Sequence, residues 1–200
     1  MRPGLRRLLA AMMLCTAACP ALVAAADAPA AANTHYALDQ SKSSLEFTFL
    51  QAGAQNKGRF TRFPVTFDFS PANPGTGRLE VTVDMTSLDT GDQDRDDTLR
   101  GADLFDVAKF ARAHFLATQI NRTATGFEAV GKLTIRDATR DVRIPFTFRT
   151  ATENGAAVGY MSGKTSLKRL DYGVGQGDWK ATDQVGNDVG VAFSLRLTAH

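Results

Sequence analysis

Along most of the chain, apolar residues recur at every second position, the spacing of strands that bury one face. In "SLEFTFL", Leu45, Phe47 and Phe49 share a side opposite Glu46 and Thr48. "VTFDF" repeats this with Val65, Phe67 and Phe69, and "RLEVTVDM" with Leu79, Val81, Val83 and Met85. Further on, "FEAVGKLTI" groups Phe127, Ala129, Leu133 and Ile135, and "VRIPFTF" groups Val142, Ile144, Phe146 and Phe148. A weaker strand spans residues 160–167, and "VGVAFSLRL" sets Val189, Val191, Phe193, Leu195 and Leu197 together. "HFLATQI" is made of strand residues but settles on neither face. Turn signals such as Asn73-Pro74-Gly75 and Glu153-Asn154-Gly155 separate these runs. About eight short strands without recurring helices predict an all-β antiparallel fold. A closed barrel and a two-sheet sandwich both satisfy the alternation.

One stretch breaks the pattern. "SLDTGDQDRDDTLRGADLFD" holds seven of the chain's 21 acidic residues, and its Asp92-x-Asp94-x-Asp96 looks like the start of a calcium loop. Such a loop needs Gly at its sixth position and Glu at its twelfth, where this chain has Asp97 and Asp103. The stretch instead predicts one helical connection over roughly residues 92–110. Thr90, Gly91 or Asp92 can cap it, and Asp94, Asp96 and Asp97 complement the positive end of its dipole. Arg95 and Arg100 can pair with aspartates one turn away, and Leu99, Leu104, Phe105 and Val107 supply an apolar side.

Composition divides the chain before any chemistry is considered. Arg2, Arg6 and Arg7 precede an apolar run from Leu8 to Val23, followed by the small residues Ala24-Ala25-Ala26. This is the layout of a cleaved export signal over residues 1–26, with an Ala/Pro linker over 27–34 and a single domain over 35–200. The expectation is a periplasmic protein; the alternative is a lipoprotein anchored at Cys19. Both cysteines, Cys15 and Cys19, fall inside the signal, so the processed domain has no disulfide. Losing the three arginines lowers the formal net charge from +2 to −1. A near-neutral domain is not the electrostatic footprint of a nucleic-acid binder.

Candidate catalysts are scarce. The only histidines are His35, His114 and His200, and no nucleophile motif or zinc-ligand set accompanies them. Gly173-Val174-Gly175-Gln176-Gly177 lacks the strand and helix of a phosphate-binding turn. The expectation is therefore no catalytic residue and no metal, although aspartate-based chemistry has material to work with. All thirteen Phe follow the signal, many on the inward faces named above. Such walls either fill a solid core or hold a long hydrocarbon, and the pattern alone leaves both open.

The ordered motifs add a resemblance. "YALDQSKSSLEFTF", "KGRFTRFPVTFDF", "SLDTGDQDRDDTLRGADLFDV", "GKLTIRDATRDV", "LKRLDYGVG" and "VGNDVGVAFSLRL" are similar, in this order, to the motifs of the YceI-like family of bacterial exported, polyisoprenoid-binding proteins. The resemblance runs from Tyr36 to His200. It departs at Phe110-Ala111, where the family often has an aromatic-Pro pair, and at Asp137, where it has a turn glycine; Asp tolerates the left-handed backbone.

What the resemblance implies is an extended eight-stranded, lipocalin-like barrel around an isoprenoid chain or other long-chain lipid, such as an isoprenoid quinone or polyprenyl lipid. The residues then expected to line the chain are Phe47, Phe49, Phe60, Phe67, Phe69, Val81, Val83, Phe105, Phe115, Phe146, Phe148 and Phe193, with Leu99 and Phe105 as a flap. Arg169, Asp171 and Tyr172 are the candidates for a polar head. Expected partners are the lipid, a transient contact with a membrane or membrane redox protein, and a second copy in a homodimer. Competing readings are an aspartate-dependent enzyme on a lipid-like substrate and an interaction module for a membrane redox partner.

Overall fold

The structure is a computed structural model, and it describes residues 32–200; the expected export signal, Cys19 and most of the expected linker lie outside the described residues. Eleven strands occur in chain order. They are β1 (Thr34–Leu38), β2 (Ser44–Gln51), β3 (Ala54–Phe60), β4 (Val65–Phe69), β5 (Arg78–Asp84) and β6 (Leu88–Asp89), then β7 (Arg112–Thr123), β8 (Gly126–Ile135), β9 (Ala138–Glu153), β10 (Ala156–Lys168) and β11 (Asp188–Ala199). Helix α1 (Gln93–Arg100) lies between β6 and β7.

These segments occupy eight positions around one antiparallel barrel. The order β1-β4-β5-β7-β8-β9-β10-β11 closes through pairing of β1 with β11, as in Tyr36 opposite Ala199. The first three positions are broken. β2 continues beyond β1 along β11, β3 pairs with β2 as β4 does with β1, and β6 pairs with β3 after β5 has ended. The breaks bond to one another. Thr61 N donates to Ser87 O at 3.2 Å, Arg62 N to Ser87 Oγ at 3.1 Å, and Phe63 N to Gln40 Oε1 at 3.5 Å. The wall therefore bends along one seam, and alternation counts eight strands where the chain forms eleven pieces.

"HFLATQI" settles on neither face because β7 carries a bulge. Ala117 pairs with Gly131 and Gln119 with Val130, which leaves Thr118 as the extra residue. Inward positions are therefore odd up to Ala117 and even at Ile120, which is 1% exposed. Gly131 makes the bulge fit, since a Cβ there would sit 2.2 Å from the carbonyl oxygen of Leu116.

At the hairpin after β8, the left-handed residue is Arg136, with φ of 54°, and not Asp137. Its side chain explains the choice. The Arg136 guanidinium donates to the carbonyls of Ala102 and Leu104, and it approaches Asp106 at 3.8 Å and stacks over the Phe110 ring at 5.3 Å. That set of contacts holds down the turn-rich segment 101–111. The helix is correspondingly shorter than the pattern predicts. It ends at Arg100, and Leu104, Phe105 and Val107 follow it in turns that pass through Asp106 at φ 49°.

One more irregularity affects the wall. The β9–β10 ladder runs from Glu153–Ala156 to Phe146–Gly163 and stops there. Beyond Pro145, β9 pairs with β8 alone and β10 with β11 alone. Pro has no N–H to continue the ladder. The gap is an open pocket lined by Arg140, Val142, Leu167 and Tyr172, and Tyr172 and Leu167 belong to a cluster with Leu104 and Val174.

At the end where β1 closes the barrel, Arg196 bridges Asp39 at 2.8 Å and Glu153 at 2.6 Å. Hydrogen bonds from Tyr160 and Arg196 hold the Glu153 carboxyl below its usual range, and bonds from Ser41 and Arg196 do so for Asp39. Glu80, Asp84 and Asp89 are lowered in the same direction by neighbouring donors. Carboxyls depressed in the folded state stabilise it above their unfolded pKa values, roughly 4, and lose that contribution as pH falls through the folded ones. Thermal melts should therefore give a melting temperature that is flat from neutral pH to about 5 and drops below about 4. Arg196→Met should make that acid drop shallower; an unchanged profile would rule out this network as a contributor.

Candidate functional site: an apolar cavity at one end of the barrel

The barrel interior is packed at one end and hollow at the other. The packed end is a nest of rings from Tyr36, Phe67, Phe69, Phe127, Phe146 and Phe148. Centroids lie 4.9 Å apart for Phe67–Phe69, 5.0 Å for Phe69–Phe127 and 5.3 Å for Tyr36–Phe148. Phe67 and Phe69 are fully buried. Four of the expected chain-lining residues, Phe67, Phe69, Phe146 and Phe148, thus belong to the plug and do not line the cavity. Alternation tells in from out, and it carries no information on height along the axis.

The hollow end encloses a cavity of about 240 Å³. Of the expected residues, Phe47, Phe49, Phe60, Val81, Val83, Phe105, Phe115 and Phe193 line it. So do Leu45, Val65, Leu133, Ile144 and Val191, which periodicity put on inward faces, and Trp179 and Val185, which it did not find. Phe60, Val81, Val83 and Phe193 point inward yet are only partly buried, because they face unfilled space. Two rings are flattened against the wall by glycines on the neighbouring strand. Phe47 pairs with Gly58 and Phe193 with Gly163, where a Cβ would come within 2.4 Å and 2.6 Å of the respective rings. A larger residue at Gly58 would have to displace the Phe47 ring, and one at Gly163 would also meet the Pro145 carbonyl oxygen at 2.3 Å.

The cover is built by the Asp-rich stretch and the loop before β11. Asp92 caps α1, its carboxylate accepting from Arg95 N at 3.0 Å. Asp96 has a different role from its neighbours. It is buried, and it accepts from Thr90 N at 2.9 Å and Thr90 Oγ1 at 2.7 Å, while Arg100 lies 3.6 Å away. Arg100 also donates to Leu88 O, which ties the helix to β6. Leu99 and Phe105 are brought over the cavity and pack with Trp179 against two separate buried clusters.

Of the polar-head candidates, Arg169 and Tyr172 line the cavity and Asp171 does not. Arg169 is buried and its five N–H donors all meet carbonyls. Nε donates to Gly186, Nη1 to Val174 and Trp179, and Nη2 to Ala181 and Val185, at 2.7–3.1 Å. It lies so close to Gly175, at φ 122°, that a Cβ there would overlap Nη1 at 1.9 Å. The glycine-rich segment is thus a loop wrapped on a guanidinium, and Arg169 has no donor left for a ligand. Tyr172 is buried and lines the cavity, whereas Asp171 is exposed and outside it. The three histidines also lie off the cavity wall. His35 pairs with Asp68 at 2.6 Å and His114 with Glu80 at 2.9 Å.

The YceI-like domain matches residues 36–197, and the chain belongs to that family. A UPF0312 protein of Vibrio cholerae serotype O1 is 32% identical over 161 residues, 76% of this chain and 85% of its own length. The crystal structure of Burkholderia cenocepacia BcnA superposes with a TM-score of 0.73 at 32% identity, covering 80% of this chain and 98% of that one. A polyisoprenoid binding domain from Saccharophagus degradans has the same fold, with a TM-score of 0.60 at 17% identity over 82% of this chain and 98% of its own.

Two substitutions separate plug from cavity wall. Phe69→Ala should cost about 3–5 kcal/mol in urea unfolding, as for a fully packed aromatic. Phe193→Ala should cost clearly less, because its ring already borders a void; equal losses would mean that the hollow end is as tightly packed as the plug. Arg169→Met should destabilise the protein by about 3 kcal/mol or more, since it strands buried carbonyls. Arg169→Lys should recover little, because an ammonium cannot reproduce the planar fork. A wild-type urea midpoint for Arg169→Met would refute the hub role.

Proposed function

We propose that this YceI-like protein carries an isoprenoid or other long-chain lipid, with the tail in the hollow end of the barrel. The observation behind this reading is the cavity itself, walled mostly by Phe, Leu, Val, Ile and Met and left unfilled by residues that could have closed it. Removing a tail from water contributes about 0.8 kcal/mol per methylene. About ten methylenes give roughly 8 kcal/mol, a micromolar affinity before the cost of association is subtracted. The Saccharophagus degradans domain, described as polyisoprenoid binding, supports the ligand class for the fold. An isoprenoid quinone is the ligand we favour within that class.

Carriage also needs a compartment and a route. The signal-like residues 1–26 support export to the periplasm, where a near-neutral carrier can take a lipid through water. Leu50, on the hairpin beside the cavity-lining Gln51, is 52% exposed and supports a brief contact with a membrane during loading. The aspartate-dependent enzyme reading gains nothing from the site, since no aspartate lines the cavity and Glu46 is the acidic residue that does.

Native mass spectrometry of protein purified without detergent should show a lipid adduct of discrete mass. Val81→Phe and Val191→Phe fill the cavity from opposite strands. Both should weaken uptake of an isoprenoid quinone roughly tenfold or more, with no loss of thermal stability, because the added ring removes space the tail would take without straining a packed core. Undiminished uptake by both variants, or a wild-type protein that takes up no lipid, would overturn the reading.

A further inference from the structure

We propose that the head of the bound lipid leaves the barrel sideways, through the gap between β9 and β10, and is held there by the Tyr172 hydroxyl and the Arg140 guanidinium. The head this suits carries acceptor oxygens, as a quinone does. The assignment rests on the lipid-carrier reading above and locates the polar end of the ligand, for which the cavity has no partner. The cavity surface is almost entirely apolar, and Arg169 on its wall has spent its five N–H donors on carbonyls.

Three observations point to the gap. First, it adjoins the cavity. Beyond Pro145 no ladder joins β9 to β10, and an open pocket of about 520 Å³ occupies the space. Thr165, Leu167 and Tyr172 line this pocket and the cavity alike, so the same side chains form the partition between them. Second, Tyr172 has an unused polar end. The residue is 2% exposed, and its hydroxyl makes no hydrogen bond among the described residues. No side-chain oxygen among them is both sealed off and unpartnered, so this hydroxyl opens onto space. Burial raises the phenol pKa above its ordinary value, the Asp171 charge raises it further, and the Arg140 charge opposes them. Both charged residues line the gap and neither lines the cavity, which puts the hydroxyl on the gap side of the partition. Third, the gap has donors to spare. Arg140 gives one hydrogen bond, to the Thr139 carbonyl at 2.9 Å, and the Lys168 side chain has no partner among the described residues. Along the facing edges of β9 and β10, about every second residue also turns its N–H and C=O toward the gap, as at any strand edge.

The charges that line the gap decide which atoms suit it. Asp141 is answered by Lys132 at 2.9 Å, and Arg143 by Glu128 at 2.8 Å. Arg140, Lys168 and Asp171 remain, and Arg169 stands behind them on the cavity wall without an acidic partner among the described residues. Cations outnumber the anion, so an acceptor oxygen is favoured and an ammonium head is not. The rival exit lies under α1, where Arg95 and Thr98 border the cavity. There the Thr98 hydroxyl donates to Asp94 O at 2.8 Å, Arg95 faces Asp92 at 3.6 Å, and Leu99, Phe105 and Trp179 pack across the opening.

The test is photolabelling with a benzoquinone that carries a decyl tail and an azide on its ring, followed by mass spectrometry of the digested protein. Labels should fall on residues 140–143 and 165–172. Labels on residues 93–99 or on Trp179 would put the head under the helix and overturn the proposal. Affinities for decylubiquinone and for decylbenzene, which keeps a ring without oxygens, are read from the emission of Trp179, the chain's only tryptophan. Tyr172→Phe keeps the ring and removes only the hydroxyl. It should weaken decylubiquinone about fivefold, the size of one hydrogen bond, and leave decylbenzene within about twofold of wild type. Adding Arg140→Leu should bring the quinone down to roughly the level of decylbenzene. If Tyr172→Phe weakens both ligands alike, or neither, the hydroxyl reads no head and the proposal fails. It fails alone, with the carrier reading intact, if wild-type protein binds both ligands equally well. If neither ligand enters wild-type protein, the carrier reading falls and takes the head site with it.

Discussion

Six aromatic rings wedged into one end of the barrel determine what the other end can be. An eight-position barrel has an interior just wide enough to be filled by side chains or to hold one small ligand. Here it is filled at one height and left open at another. Tyr36, Phe67, Phe69, Phe127, Phe146 and Phe148 supply dense packing where β1 closes the ring, so the hollow end can stay unfilled. The seam along the breaks in the first three positions lies between these regions. Phe63, 1% exposed, sits on it and belongs to the packed core while also bordering the cavity.

Much of this could be read from the chain, and the unreadable parts share a cause. The alternation of Leu79, Val81 and Val83, or of Phe127 and Ala129, is a local property, and the inward faces it marks are the ones observed. The bulge at Thr118 is not local. It shows only in pairing with Gly131, although an undecided face in "HFLATQI" was its trace. The division of the phenylalanines between plug and cavity depends on strand register around the whole ring, which spacing within one strand cannot reveal. Spacing does not reveal that the Arg169 donors go to the carbonyls of the loop around it. The signal to follow was the long irregular segment after it, whose buried carbonyls needed donors from somewhere.

The Asp-rich stretch shows how one composition serves several ends. Asp92 caps, Asp96 is buried as an acceptor for Thr90, Asp97 faces Arg100, and Asp106 holds a left-handed backbone beside Arg136. Each has its own local reason, so the density of carboxylates is a sum of separate structural uses. The positions the residues hold, more than their number, place Arg95, Leu99 and Phe105 at the cavity.

The parting of β9 from β10 beyond Pro145 has a mechanical consequence. Along most of the ring, widening the wall means breaking backbone hydrogen bonds in series; β6, paired with β3 alone, is the other free edge. Between Ala138–Pro145 on one side and Lys164–Lys168 on the other there are none to break, and an open pocket lined by Arg140, Val142, Leu167 and Tyr172 lies between them. The barrel is therefore built like a split sleeve. Part of its compliance lies along this slit, where the wall can widen without loss of secondary structure.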